Sequence, residues 1–417
     1  MFPAARLTAF LSLVLVASAS PIESSHNSQS NTGHLLISNH INTNSGKNLI
    51  VADQARIASI VSRGKTTKGV VSDAKTNGSS GSAPITSQTV IYTASIGVGS
   101  QNFTVIVDTG SSNTWIGADT PYQPGDTSTN TGAEVSVSYG SGSFSGTEYT
   151  DTVTLGSLTA TNQSIGVASQ ADFPQFDGIL GIGPTDLTEN TVEGVDTVPT
   201  FTDSLFQEGV ISTDSVAVSF QPLTSDSDSP DANGELTFGG TDSSKFTGEI
   251  TYTPLTTTAP ANQFWGIDQT VSYGDSPILS MTAGIVDTGT TLIYIASDAF
   301  SQYQEATGAT QDEETGLLTV TEDQFSQMSS LVFNIGGVDF ELTPDAQIWP
   351  RSLNSKIGGS EDSYYLIVND IGTPSGQGMD FINGYAFLER FYSVFDTTNS
   401  QFGIANTQFT NATTNAA

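Results

Sequence analysis

The chain has 417 residues, no cysteine, three histidines and a formal net charge of −32 at pH 7. Without cysteine, thiol nucleophiles, thiolate metal sites and disulfides are all excluded. All but three of the 43 acidic residues lie beyond residue 83, accompanied there only by Lys245, Arg351, Lys356 and Arg390, so this body repels nucleic acid and anionic membranes and suits an acidic medium in which its self-repulsion fades.

Met1 to Ala19 carries Arg6, an apolar run from Leu7 to Val16 and the small residues Ala17-Ser18-Ala19. This is the pattern of a signal peptide too short to span a membrane, and it predicts a secreted, soluble protein. Residues 20–82 are polar and net basic, with one amphipathic patch at Ala55 to Val61 and a Gly78-Ser79-Ser80-Gly81-Ser82 linker. A basic segment before an acidic body reads as a removable propeptide held electrostatically, its patch forming a short helix; a plain disordered linker is the alternative. Removing it takes away His26, His34 and His40, the whole imidazole content. A Ser-His-Asp triad and a histidine-bound zinc are then excluded, and acid–base chemistry falls to Asp and Glu.

From Ala83 the chain is a succession of short alternating or apolar runs rich in Val, Ile, Thr, Phe and Tyr, punctuated by Gly, Asn, Asp and Ser. Strands are predicted at Val90 to Ile96, Val135 to Tyr139, Thr152 to Leu155, Val216 to Phe220, Glu235 to Phe238, Leu331 to Ile335 and Tyr364 to Val368. Helical patterns are confined to Thr200 to Glu208, Ser297 to Thr307 and Glu322 to Ser329, so the class is all-β. The oxygen-rich stretch Asp226 to Gly234 lacks calcium-loop spacing and reads as a surface turn.

One short pattern occurs twice. Val107-Asp108-Thr109-Gly110-Ser111-Ser112 returns as Val286-Asp287-Thr288-Gly289-Thr290-Thr291, each after a hydrophobic run that delivers its aspartate to a Gly-containing turn. Phe176-Asp177-Gly178-Ile179-Leu180-Gly181 follows the first copy and Phe381-Ile382-Asn383-Gly384 the second, at comparable distances. The duplication predicts two similar β-lobes, 83–255 and 256–417, with a cleft between them and both carboxylates in one site. Val135 to Thr147 reads as a hairpin with a glycine tip, able to close over that cleft.

These residues resemble the pepsin-like aspartic endopeptidases, and among them the cysteine-free secreted enzymes of wood-decay (basidiomycete) fungi. The resemblance covers residues 83–408 and rests on Val107 to Trp115, Tyr139-Gly140, Phe176 to Gly181, Phe238 to Ser244, Val286 to Thr290 and Phe387 to Asp396. It implies a bilobal fold and an acid protease made as a zymogen, with no cofactor or metal. Its partners would be extended polypeptides and its own propeptide, with neither nucleic acid nor membrane involved, and it would be a monomer. Asp108 and Asp287 would be catalytic, holding a water and sharing a proton. Ser111 and Thr290 would bond their outer oxygens, while Thr109 and Thr288 would cross-brace the loops. Substrate would meet Gly110, Gly289, Thr291 and the hairpin residues Tyr139, Gly140 and Ser141. Tyr139 would be bonded to Trp115, with Ile106, Phe176 and Ile179 lining an apolar pocket that favours large apolar or aromatic residues. A propeptide lysine, Lys65 or Lys68, would sit on the catalytic pair.

Two positions depart from the family pattern: Asn383 stands where Leu is usual, and Tyr385 where Asp is common. Sequons mark Asn77, Asn102, Asn162 and Asn411 for glycosylation. A catalytically silent binding protein of the same fold and an acid glycoside hydrolase with paired carboxylates remain the alternatives. The second is disfavoured by the presence of only three tryptophans.

Overall fold

The computed structural model describes residues 32–41, 45–63, 90–140, 142–173, 176–222 and 233–416. The signal segment, the linker, Lys65, Lys68, Asn77, Ser141 and most of the Asp226 to Gly234 stretch lie outside these residues. No described helix is long and apolar enough to cross a membrane.

The body is two β-lobes built to one plan. In the first, strand Gln101–Asp108 runs parallel to Gly178–Gly181; next come Trp115–Ile116 and then Leu158–Ala171, parallel to it. In the second, Ser276–Val286 runs parallel to Phe381–Asn383, followed by Ile293–Ile295 and then Val368–Asp370. The order and the senses match, so the repeat seen in the motifs extends to strand topology. Each aspartate stands at or just beyond the end of a strand whose closing residues are buried, as expected for strands covered on both faces.

A further stretch of sheet joins the lobes. Strand Ser215–Phe220, buried at every position, pairs with Gly234–Phe238 on one side and with Phe391–Asp396, near the end of the chain, on the other. Trp265 of the second lobe donates its indole N–H to the Ile182 carbonyl of the first at 3.1 Å. The cleft floor is therefore tied together on both sides.

The hairpin of Thr129–Tyr139 and Gly142–Leu155 projects from the first lobe. Toward its tip, burial alternates from Val135 to Tyr139, so one face looks inward and the other outward.

The N-terminal segment is more structured than its composition suggests. Gly33–Ile41 forms a strand whose residues 33–37 pair with Gly234–Phe238 and whose residues 38–41 pair with the beginning of Val90–Val98. His34 Nδ1 lies 2.8 Å from Glu235 Oε1. The predicted short helix is in fact Gly46–Arg63, more than twice the length of the Ala55 to Val61 patch. Its buried residues Leu49, Ala52, Asp53, Ile57 and Ile60 recur at helical spacing on one face. Most of the driving force for such a helix comes from packing that face, which propensity in a Ser- and Asn-rich segment does not reveal.

The predicted strand Tyr364 to Val368 divides in two. Tyr364–Tyr365 pairs with the Leu318–Val320 strand, whereas Val368–Asp370 pairs with Ile293–Ile295. The chain changes partners at Leu366-Ile367 while staying buried throughout.

Candidate active site

Asp108 and Asp287 meet at the centre of the cleft, both fully buried. Their loops are braced crosswise: Thr109 N–H donates to Thr288 Oγ1 at 3.0 Å, and Thr288 N–H to Thr109 Oγ1 at 2.9 Å. Each carboxylate has the same two local donors. Ser111 Oγ reaches Asp108 Oδ2 at 2.5 Å and Gly110 N–H reaches Asp108 Oδ1 at 2.9 Å. Thr290 Oγ1 reaches Asp287 Oδ2 at 2.6 Å and Gly289 N–H reaches Asp287 Oδ1 at 3.1 Å. The arrangement has pseudo-twofold symmetry, so neither aspartate is singled out by these contacts.

Gly181 and Gly384 let main chain cross tightly beneath the two loops. A Cβ on Gly384 would overlap the carbonyls of Leu292 and Thr290, and one on Gly181 would press on Ser112 and Asn113. Asn383, the departure at this crossing, is buried and exchanges two hydrogen bonds with Gln269, at 2.9 and 3.3 Å. Its main-chain carbonyl accepts from Asp287 N–H at 3.1 Å. Tyr385 is buried, with its N–H on the Thr290 carbonyl at 2.8 Å.

Among the described residues the cation on the pair is Arg56; Lys65 and Lys68, expected there from the sequence, lie outside them. Its Nη2 lies 2.5 Å from Asp108 Oδ1 and 2.8 Å from Asp287 Oδ1, and its Nε donates to Asp287 Oδ2 at 2.7 Å. The planar fork of arginine can engage both carboxylates at once, which a point-like ammonium does less well. Burial pushes the Asp287 carboxyl up, but the Arg56 charge and the bonds from Arg56, Thr290 and Gly289 prevail and hold it below its ordinary value of 3.8. Burial likewise opposes the charge on Arg56, and the two carboxylates overcome it. The helix backbone at Ala55 and Arg56 lies against the hairpin tip, where a Cβ on Gly140 would overlap it.

Beneath the hairpin, Trp115 Nε1 donates to Tyr139 Oη at 2.9 Å. Ile179 is buried in the same cluster, and Ile106 is half-buried against it. Phe173 faces Tyr139 and Trp115, with ring centroids 5.3 and 5.4 Å away, and Phe176 is half-buried. Phe144 stacks on Trp115 with ring centroids 4.3 Å apart. Thr291 is buried beside the second loop, while Asn102, Asn162 and Asn411 are exposed.

A family model described as eukaryotic aspartyl protease matches residues 91–407. The chain belongs to the pepsin-like aspartyl proteases. It is 61% identical to polyporopepsin of Irpex lacteus over 341 residues, 80% of this chain and 99% of that protein. It is 30% identical to pepsin A of Sus scrofa over 336 residues, 75% of this chain and 80% of the relative. The crystal structure of the aspartic proteinase from Irpex lacteus superposes with a TM-score of 0.75 at 60% identity, covering 78% of this chain and 96% of that one.

In this aspartyl protease, sequence reasoning passed over three residues near the pair. Arg56 and Asp53 share the buried helix face, and the spacing of Leu49, Ala52, Asp53, Arg56, Ile57 and Ile60 is the signal that points to them. Phe173 is a single aromatic in a loop, and no periodic signal distinguishes it from Phe176.

Proposed function

We propose that this aspartic endopeptidase is secreted as a latent, monomeric zymogen and becomes active in acid, with Asp108 and Asp287 as its catalytic pair. After the N-terminal segment leaves, a water held between the two carboxylates replaces the guanidinium. One carboxylate, ionised, takes a proton from that water as its oxygen attacks the peptide carbonyl. The other, protonated, donates to the carbonyl oxygen, giving a tetrahedral gem-diol. Two carboxylates in contact cannot both ionise cheaply, so they share a proton and titrate together. Ser111, Thr290 and the two glycine N–H groups fix the oxygens that do this work.

The observation that carries the latent state is the Arg56 guanidinium lying across both carboxylates, where the water must sit. The helix beside it fills the cleft under Gly140, which an extended substrate would otherwise occupy. The apolar cluster of Trp115, Phe144, Phe173 and Ile179 next to Tyr139 supports a preference for large apolar or aromatic residues at the scissile bond. Exposed Asn102, Asn162 and Asn411 would carry glycans.

The test is cleavage of a denatured protein by the secreted chain, before and after an acid pulse, from about pH 2.5 to 7, a range that brackets carboxylate titration. We expect no cleavage at pH 7 before the pulse, a bell-shaped profile with an acidic maximum after it, and no cleavage at either stage from Asp108→Asn. Full activity at pH 7 without the pulse would overturn the latent reading. Unchanged activity in Asp108→Asn would overturn the assignment of the pair.

A further inference from the structure

The antiparallel register of strand Gly33–Ile41 on Gly234–Phe238 sets His34 opposite Thr237. Side chains two apart on a strand share a face, so Glu235 stands diagonally beside His34, within reach across the strands. Glu235 is buried, and its Oε1 lies 2.8 Å from His34 Nδ1. Asp242, in the loop after Gly234–Phe238, completes a group of three. One ligand atom from each residue lies within 4.8 Å of the other two.

An imidazole nitrogen and two carboxylate oxygens are ligands that zinc accepts, whereas magnesium and calcium favour oxygen alone. Around a tetrahedral zinc with bonds of about 2.0–2.1 Å, ligand atoms stand about 3.4 Å apart. His34 Nδ1 and Glu235 Oε1 need therefore separate by only about half an ångström, and the exposed His34 side chain has room for that move. Both carboxylates are already oriented by a second contact. Lys245 Nζ holds the other oxygen of Glu235, Oε2, at 3.0 Å, and Ser244 N–H donates to Asp242 Oδ1 at 2.9 Å. The Asp242 main chain is fixed in turn, its N–H donating to Tyr392 Oη at 3.0 Å. Outer contacts of this kind hold ligating carboxylates in place.

We propose that His34, Glu235 and Asp242 form a binding site for one divalent transition-metal ion, zinc fitting the set best, that staples the N-terminal strand to the body. Water completes the tetrahedron from the exposed side. Two ligands belong to the body and one to the segment before it, so the ion ties the two together. The body has no histidine of its own, and departure of the segment would abolish the site. That consequence rests on the reading of a removable segment; the site itself rests on the three residues.

The test titrates zinc chloride calorimetrically into the freshly secreted chain at pH 7.5, where a free imidazole is mostly neutral, beside His34→Ala and Asp242→Asn. We expect one ion per chain, and about a tenfold or greater loss of affinity in each variant, since each loses one of three ligands. Magnesium chloride is expected to bind far more weakly. Hydrogen exchange supplies a second readout: saturating zinc, compared with EDTA, slows exchange of residues 33–41 several-fold in the parent and leaves it unchanged in His34→Ala. Absence of zinc binding would overturn the site and leave a plain network of ion pairs. Binding that both variants retain would overturn it equally, as zinc held adventitiously by the acidic surface. Intact mass shows whether residue 34 is still attached. A chain already shortened at pH 7.5 would count against the latent reading, and the site is then measured on Asp108→Asn, which does not cleave itself.

Discussion

At the scale of single residues, the choice of arginine at position 56 decides how the proposed latent state would end. The Arg56 guanidinium is held above its ordinary value by the two carboxylates, so it does not lose its proton in any physiological range. In the proposed release, the change of charge would come from the acids. Asp287 is held below its ordinary value by Arg56, so its contribution to docking is fully present above that value, near 3.8, and fades as pH falls through the lowered one. Arg56→Ala removes the fork and leaves two buried carboxylates against an apolar helix face. The midpoint of acid conversion, followed as intact chain remaining after a fixed incubation at each pH, is expected to rise by about one to two pH units. Arg56→Lys keeps the charge but loses the bidentate geometry, and its midpoint is expected to lie between the two. Identical midpoints for all three chains would mean that the ion pairs do not hold the segment.

At the scale of elements, the crossing beneath Asp287 shows how an unusual residue is accommodated. Asn383 replaces the usual leucine, and Gln269 on strand Gly266–Tyr273, two strands away across Ser276–Val286, satisfies it with two reciprocal hydrogen bonds. Each single replacement by leucine leaves the other amide buried and unmet, costing roughly 1–3 kcal/mol. Gln269→Leu with Asn383→Leu removes both amides and is expected to recover most of that loss. Thermal denaturation of the four proteins measures the coupling, and simple additivity would show that the pair is not a unit. The same crossing marks the limit of legibility in the sequence. Asn383 stands out as a departure, but its partner lies 114 positions away, and no local pattern joins them. Strands with clear alternation or continuous apolar runs, such as Ser215–Phe220 and Leu331–Ile335, are readable because their periodicity is local. The helix Ser297–Thr307 is readable for the same reason, closing on Gly308 in the left-handed conformation. The strand Gly33–Ile41 and the full length of Gly46–Arg63 escape that reading, because what orders them is the sheet edge and the cleft they cover. The paired motifs placed Asp108 and Asp287, whereas Arg56, Asp53 and Phe173 are recruited by tertiary packing.

At the scale of the whole molecule, the acidic composition continues into the interior. Burial pushes Glu148 up to about 7, against a hydrogen bond from Ser164. Burial, then the neighbouring Asp203 and Asp396, pushes Asp214 up to about 7. Burial pushes Glu389 up to about 8, opposed by Arg390 and Tyr92. Each of these folded-state values lies above the ordinary carboxylate value, so the folded protein binds these protons more tightly than the unfolded chain does. The associated stability is fully present below about pH 4 and is lost as pH rises through 7 to 8. The surface adds to the same trend, since a net charge of −32 at pH 7 repels itself less as carboxylates protonate. Acid therefore stabilises this fold over the range in which most proteins begin to lose stability, and the acid-processed chain is expected to melt at a lower temperature at pH 7.5 than at pH 4.5. Glu148 isolates the interior share of that effect. Its Oε2 is buried without a hydrogen-bond partner among the described residues, so glutamine imitates the protonated acid, and Glu148→Gln is expected to be nearly neutral at pH 4.5. At pH 7.5 the variant escapes the cost of a buried charge, a gain of roughly 1–3 kcal/mol, seen as a melting temperature a few degrees above that of the parent. A Glu148→Gln protein that tracks the parent at both pH values would place the whole pH dependence on the surface charge instead.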